Sequence, residues 1–299
     1  MRRTHRKPNR PQQGSRSGAL AQRCCGMLAL SAALVGAPRE TAEGQVSRPA
    51  STPPSDSTSL INADRPGIAD GSRVIQSRQL QIEIGAQEER RRDGGVRTTT
   101  TFVPLLIRFG VADRLEARVE SNSLTSNATN SSNFPTTRAT GYSPVSIGAK
   151  YQLYDSNGEN RRSLGVIARL FAPSGSSNFR ADRNAGDVRL AADWDFAPQL
   201  SLNPNIGVAR QEDDQGRTFT AALGAMTLSY SPTDRISPFV DLGAQSPETP
   251  GGGAAIIVDA GLGYIVGRDL QLDVSGGRGV HGSTPPRPFI AVGVSIRHR

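Results

Sequence analysis

The chain is poor in the residues that most enzyme chemistry uses: two Cys, three His and one Trp among 299 residues. Both cysteines, Cys24 and Cys25, fall within the first 44 residues. Without that segment no disulfide, thiolate nucleophile or cysteine-ligated metal is available. Beyond it only His281 and His298 remain. Two histidines without helical spacing make a poor zinc site. No motif sets His281 beside a Ser and an Asp as a hydrolytic triad requires. The runs Gly251-Gly252-Gly253 and Gly276-Gly277-Arg278-Gly279 lack the phosphate-loop pattern and its following helix. No catalytic residue, cofactor or metal is therefore expected, and the chain reads as a non-enzyme. A long apolar run is missing too. After residue 44 nothing approaches the roughly 20 apolar residues that a membrane helix needs. If the chain enters a membrane it must do so as strands, because a closed barrel gives every backbone polar group a partner.

The charge is concentrated at one end. The net charge is +8, yet residues 1–44 carry eight basic and two acidic side chains, leaving +2 for the rest. A nucleic-acid surface would need its basic patch in the folded part, so nucleic acid is not an expected partner. Residues 1–44 read as a signal peptide for Sec-type export. A basic region runs to Arg23, an apolar stretch runs from Cys24 to Ala37, and Ala42-Glu43-Gly44 offers a small-x-small cleavage site before Gln45. Residues 45–78 then form a flexible periplasmic N-terminal segment, Ser, Thr and Pro rich at its start.

From residue 79 to 299 the texture is that of short strands with period-two alternation. Leu80, Ile82, Ile84 and Ala86 alternate with Gln79, Gln81, Glu83 and Gln87. Val188, Leu190, Ala192, Trp194 and Phe196 alternate with Asp187, Arg189, Ala191, Asp193 and Asp195. Twelve such segments can be marked, the parity of 218–230 being ambiguous. The connections alternate in length. Turns such as 111–114, 197–199 and 267–269 are short, whereas 88–95, 121–143, 173–185 and 279–287 are longer and polar. Short periplasmic turns and longer extracellular loops are the layout of an antiparallel transmembrane β-barrel. An even strand count leaves both termini in the periplasm. Aromatics, at 5%, are thin for two girdles.

On this parity the inward face collects charge. The candidate lumen-lining residues are Glu83, Arg108, Glu116, Arg118, Glu120, Lys150 and Arg169. Asp187, Arg189, Asp193, Asp195, Asp241, Asp259 and Asp273 complete the set. As a set they suit the lining of a narrow pore; singly, each is as well explained by pairing across neighbouring strands. A plug made by a loop or by residues 45–78 would fit so narrow a barrel. The string Ala63-Asp64-Arg65-Pro66-Gly67 suits either such a plug or a periplasmic lead into the first strand, and the second is the simpler expectation. Arg90, Arg91 and Arg92 have guanidinium groups suited to lipopolysaccharide phosphates, although a solvated loop tip is the simpler expectation.

Several strings resemble a known family. They are Ala63-Asp64-Arg65-Pro66-Gly67, PLLIRFGVADRLEARVE from Pro104 to Glu120, PVSIGAKYQL from Pro144 to Leu153, FAPSG from Phe171 to Gly175, and GLGYIVGRDLQLDVSGGRGV from Gly261 to Val280. Together they resemble the "MetA-pathway of phenol degradation" family of outer-membrane transporters, over roughly residues 60–299. The resemblance implies an outer-membrane barrel of a Gram-negative bacterium associated with aromatic-compound pathways, and it implies no catalytic residues. The terminal Arg299 departs from the aromatic ending usual in such barrels. The expected function is passive passage of small, hydrophobic or aromatic molecules. The alternative is a structural or adhesive barrel acting through surface loops such as 121–143. Expected partners are outer-membrane lipid and lipopolysaccharide, the barrel-assembly machinery and an unidentified small-molecule cargo.

Overall fold

A computed structural model describes residues 59–131, 134–156, 160–213, 215–282 and 288–299. The expected signal peptide and the lead-in up to residue 58 lie outside the described residues. Among those described there are fifteen strands and no helix. The first seven are β1 (Leu80–Asp93), β2 (Val96–Phe102), β3 (Leu105–Ala112), β4 (Leu115–Ser121), β5 (Leu124–Ser131), β6 (Phe134–Tyr142) and β7 (Val145–Asp155). Then come β8 (Arg162–Phe171), β9 (Ala185–Ala197), β10 (Leu200–Glu212) and β11 (Thr218–Tyr230). The last are β12 (Ile236–Ser246), β13 (Ala255–Gly267), β14 (Leu270–His281) and β15 (Phe289–His298).

All neighbours pair antiparallel. The order β1-β3-β4-β7, followed by β8 through β15, closes on itself where Leu80–Glu89 of β1 pairs with Phe289–His298 of β15. Closure removes both sheet edges and gives a barrel of twelve strands. They correspond to the twelve alternating segments of the sequence.

The other three strands are not extra wall. β2, β5 and β6 are the upward continuations of β3, β4 and β7, each separated from its partner by a two-residue break. The breaks fall at Val103-Pro104, Asn122-Ser123 and Ser143-Pro144. Pro104 and Pro144 cannot donate to a ladder, and Ser123 has a positive φ of 30°. The crease is held by Val103 N donating to Leu124 O at 3.0 Å and Ser143 N to Ser123 O at 2.8 Å. Above it, the upper half of β1 pairs with β2, then β5, then β6. The segments expected as loops 88–95 and 121–143 are therefore largely strand. Their threonines and asparagines form cross-strand ladders on the wall, and of 88–95 only 94–95 remain as a turn.

The outward face is apolar. Ile82, Ile84, Ile147, Leu170, Val188, Leu190, Val240 and Val292 are among its exposed large side chains. Most of the exposed aromatics collect at one rim. Phe109, Tyr151, Tyr154, Trp194, Phe196, Tyr230 and Tyr264 are all exposed near the short-turn end. Few aromatics suffice because only the periplasmic rim has a girdle. In β11 the inward residues Ala221, Leu223 and Ala225 are buried and apolar. Both faces of that strand are apolar, which is why its parity is ambiguous in sequence.

Candidate functional site: an occluded lumen

The chain before β1 does not stay in the periplasm. From Ile61 to Ile75 it runs up into the barrel, turns at about Pro66–Ala69 and returns to the short-turn end. The expectation of a lead-in at Ala63–Gly67 gives way to a plug, because Asp64, Arg65 and Asp70 pair with charged side chains of the inner wall.

Three anchors organise it. The first is Asp64. Its carboxylate accepts from Arg118 Nη1 at 2.6 Å and from Lys150 Nζ at 2.9 Å, with Arg108 Nη1 3.7 Å away. Arg108 also reaches Glu83 and Glu116 at 3.1 and 2.8 Å. Burial pushes the Asp64 carboxyl up, but Arg108, Lys150 and Arg118 outweigh it and hold the group well below the usual carboxylate range. The second anchor is Asp70, which pairs with Arg118 at 3.0 Å and Arg189 at 2.9 Å. Its backbone N–H donates to Asn205 Oδ1 and its carbonyl accepts from Asn205 Nδ2, each at 2.9 Å. The third is Arg65, whose guanidinium meets Asp273 at 3.0 Å while its backbone N–H donates to Glu83 Oε2 at 2.8 Å. That guanidinium lies flat on the wall at Gly85 and Gly293, which face each other across β1 and β15. A Cβ on Gly85 would come 2.7 Å from Arg65 Nη2, and one on Gly293 would come 2.5 Å from Nε. Glycine at both positions makes the slot.

Smaller contacts complete the seam. Ile68 N donates to Asp241 Oδ2 at 2.7 Å, Ser72 N to Asp193 Oδ2 at 3.0 Å and Ile75 N to Glu116 Oε2 at 3.0 Å. Ile68 and Ala69 pack on Ala209, Leu223 and Ala225, the apolar sector of the wall. At the periplasmic mouth Arg297 Nη2 donates to Ser59 O at 2.6 Å, Arg299 Nη2 to the same carbonyl at 3.0 Å, and both arginines pair with Asp269. The basic C-terminus thus clasps the entry of the plug.

All fourteen candidate residues point into the lumen, and they fall into groups. Glu83, Arg108, Glu116, Arg118 and Lys150 surround Asp64. Arg189 reaches Asp70, and Arg169 bridges Glu120 at 2.6 Å and Asp187 at 3.1 Å just above. Asp193 holds Ser72, and Asp195 is 3.6 Å from Arg73. Asp273 holds Arg65 and Asp241 holds Ile68. Asp259 stands opposite Asp241 in register. Of the plug residues, Asp64 and Arg65 were marked in sequence only as part of the string 63–67, whereas Asp70, Ser72 and the wall residue Asn205 were not singled out. That charged string was the one signal for the plug.

Above the plug lies a cavity of about 440 Å³ on the extracellular side. Pro66 and Ile68 line it from below, Phe102, Phe171, Phe179 and Phe289 are among its walls, and charged side chains, Arg118, Glu120, Arg169, Arg183, Asp187 and Arg189 among them, line it as well. Phe179 comes from the β8–β9 connection, which folds inward because Ser176 is tied to the edge of β6. Ser176 N donates to Tyr142 O at 2.9 Å, and Tyr142 N to Ser176 Oγ at 3.0 Å. The result is an aromatic vestibule on the outside and a sealed polar seam beneath.

The sequence pattern of the family described as "MetA-pathway of phenol degradation" matches residues 63–297. No curated protein matches the sequence at a significant level. Among solved structures, an outer-membrane channel from Pseudomonas putida F1 superposes with a TM-score of 0.59 at 11% identity, covering 76% of this chain and 98% of that one. The translocator domain of the autotransporter NalP from Neisseria meningitidis gives 0.46 at 11% identity, over 73% and 88% of the two chains. The Pseudomonas putida toluene transporter TodX gives 0.45 at 9% identity, over 78% and 96%. At such identities the likeness is one of fold.

Proposed function

We propose that this chain, which belongs to the "MetA-pathway of phenol degradation" family, is an outer-membrane channel for small hydrophobic or aromatic molecules, closed at rest by its own N-terminal segment. The observation that carries this reading is the aromatic vestibule above the plug. Small-molecule sites are concave and mostly apolar, with a few placed polar groups. A volume of about 440 Å³ lies within the usual range of such sites, roughly 300–1,000 Å³. The apolar outer belt and the single aromatic girdle suit a bilayer. Reaching it requires export across the inner membrane, which the signal-like residues 1–44 would provide through the Sec route, followed by insertion by the barrel-assembly machinery.

Passage then has two stages. A molecule partitions into the vestibule from the outside, and crosses when the segment 61–75 gives way. The test is permeation of a small aromatic solute into liposomes holding the full barrel, compared with a sugar of similar size. Faster entry of the aromatic solute, lost when Phe179 and Phe102 are both changed to Ser, supports the reading; equal entry of both solutes removes it. The density of the seam favours a second reading, a permanently sealed structural barrel. That reading predicts no permeation in any plug variant.

A further inference from the structure

Among the described residues the exposed aromatics of the extracellular end come down to Tyr142, and arginines stand along that rim instead. Counting parity up from Ile84, the outward residues of upper β1 are Glu88, Arg90 and Arg92. Register carries that face sideways. Arg92 is directly opposite Arg97 of β2. Arg90 is opposite Thr99, which is opposite Ala128, which is opposite Arg138 of β6. On the other side Arg90 N donates to Pro288 O at 3.0 Å, which puts β14's outward Arg278 at the same height, two strands away. All five arginines are exposed. The face holds one acid, Glu88, which is taken by Arg90 at 2.7 Å. Among the described residues Arg92, Arg97, Arg138 and Arg278 have no ion-pair partner. The last large apolar residue below them on β15 is Ile290, opposite Glu88 and exposed.

Like charges directly across a strand pair oppose folding, so the Arg92–Arg97 pairing calls for an anion between them. Guanidinium groups give planar, two-pronged recognition of phosphate oxygens. Strands are about 4.8 Å apart, so Arg278 and Arg90 are separated by roughly 10 Å along the rim. That is a row of sites at a fixed height just above the apolar belt, on the face turned to the surrounding lipid. We propose that this patch binds the phosphorylated headgroup of the outer-leaflet glycolipid, lipopolysaccharide, with Arg92 and Arg97 sharing one phosphate and Arg90, Arg138 and Arg278 extending the contact. The glycolipid phosphates then anchor the outer rim as the aromatics anchor the inner one, and they lie against the wall that bounds the vestibule. The proposal does not depend on the channel reading.

The test uses the full-length barrel in detergent with three probes: bisphosphorylated lipid A, the same lipid dephosphorylated, and inorganic pyrophosphate. The expected result is at least tenfold tighter binding of the phosphorylated lipid than of the dephosphorylated one, weakened by salt, with pyrophosphate competing only at far higher concentration. Arg92→Ser/Arg97→Ser/Arg138→Ser should lose at least tenfold while keeping the heat-dependent gel shift of a folded barrel. Should that variant fail to fold, Arg92→Gln and Arg138→Gln singly should each lose threefold or more. Equal affinity for the two lipids, pyrophosphate binding as tight as the lipid, or undiminished binding by the variants would each overturn the proposal.

Discussion

Replacing Asp64 with Ala puts the plug to the sharpest test. The carboxylate lies 2.6 Å from Arg118 Nη1 and 2.9 Å from Lys150 Nζ. Its three cations are not equally dependent on it. Arg118 keeps Asp70, Glu116 and Glu120, and Arg108 keeps Glu83 and Glu116. Among the described residues Lys150, fully buried, then keeps the Arg73 carbonyl at 3.5 Å as its hydrogen-bond acceptor, with Glu116, already held by Arg108, opposite it in register. Removing one partner of a buried pair costs about 3–5 kcal/mol, because the other charge is left unpaired. The cost falls on the docked state alone, since an undocked plug admits water to Lys150. At about 1.4 kcal/mol per tenfold, the docked fraction relative to the undocked should fall by a factor on the order of 10² to 10³. Liposome swelling with a small solute, together with limited proteolysis of residues 59–78, reads this directly. Wild-type swelling and wild-type protection in Asp64→Ala would refute the latch. Asp64→Leu/Lys150→Met supplies the control: removing both charges together should restore most of the docking.

The same geometry fixes the pH response. Burial raises the Asp64 carboxyl, and the three cations more than reverse this, so it is depressed in the docked state. A depressed carboxylate contributes its full docking energy above its free value, about 3.9, and loses it only as the pH falls below that toward the docked value. The difference in swelling and proteolysis between Asp64→Ala and the wild type should therefore be the same at pH 8 and pH 5. Opening within that window would mean that another group controls the plug.

Three further outcomes follow from single sites. Gly293→Val drives a side chain into the Arg65 guanidinium; overpacking of this kind costs about 1–3 kcal/mol, and faster cleavage near Arg65 with an intact barrel would register it. Arg297→Ala removes its bonds to the Ser59 and Leu60 carbonyls and leaves Arg299 on Ser59, so proteases should cut the lead-in at the periplasmic mouth faster than in the wild type while swelling stays unchanged, because the apex is held elsewhere. Asp259→Asn keeps a group that can hydrogen-bond to Asp241 directly opposite it, so the urea midpoint should change little, whereas Asp259→Ala removes that bond and should cost about 1 kcal/mol; an equal fall in both variants would refute the pairing.

The barrel was legible in the sequence because lipid imposes the alternation. Leu80 to Gln87 and Val188 to Phe196 alternate cleanly, since their outer residues meet hydrocarbon and their inner ones meet charge. β11 was not legible, because Ala221, Leu223 and Ala225 face an apolar part of the plug and the contrast between faces vanishes. The strands β2, β5 and β6 were hidden for the opposite reason. They rise above the apolar belt, so Thr98–Thr101 and Ser126–Asn130 are polar on both faces and read as loop. The inward charges could be marked one by one, but not their partners. Nothing in periodicity says that Asp64 and Asp70 will sit among Arg108, Arg118, Lys150 and Arg189. That depends on where a segment without strand character goes, and its destination is set by charge balance inside the closed wall.

A charged seam also suits a plug that must leave. If Ile61–Ile75 were held by apolar contact throughout, its departure would expose a greasy lumen to water, and the open state would be penalised across its whole surface. Buried ion pairs behave differently. Their attraction is largely offset by the water they displace, so a well-made pair is nearly balanced against its separated, hydrated members. Arg118 and Arg189 hold Asp70 when the plug is in, and the same side chains would line a hydrated passage when it is out. Docking specificity then comes from shape and geometry: the Gly85–Gly293 slot for Arg65, the paired Asn205 bonds on Asp70, and the narrow apolar sector under Ile68 and Ala69. Changes to those three features should shift the plug's position, whereas conservative changes to the surrounding charges should shift how readily it leaves.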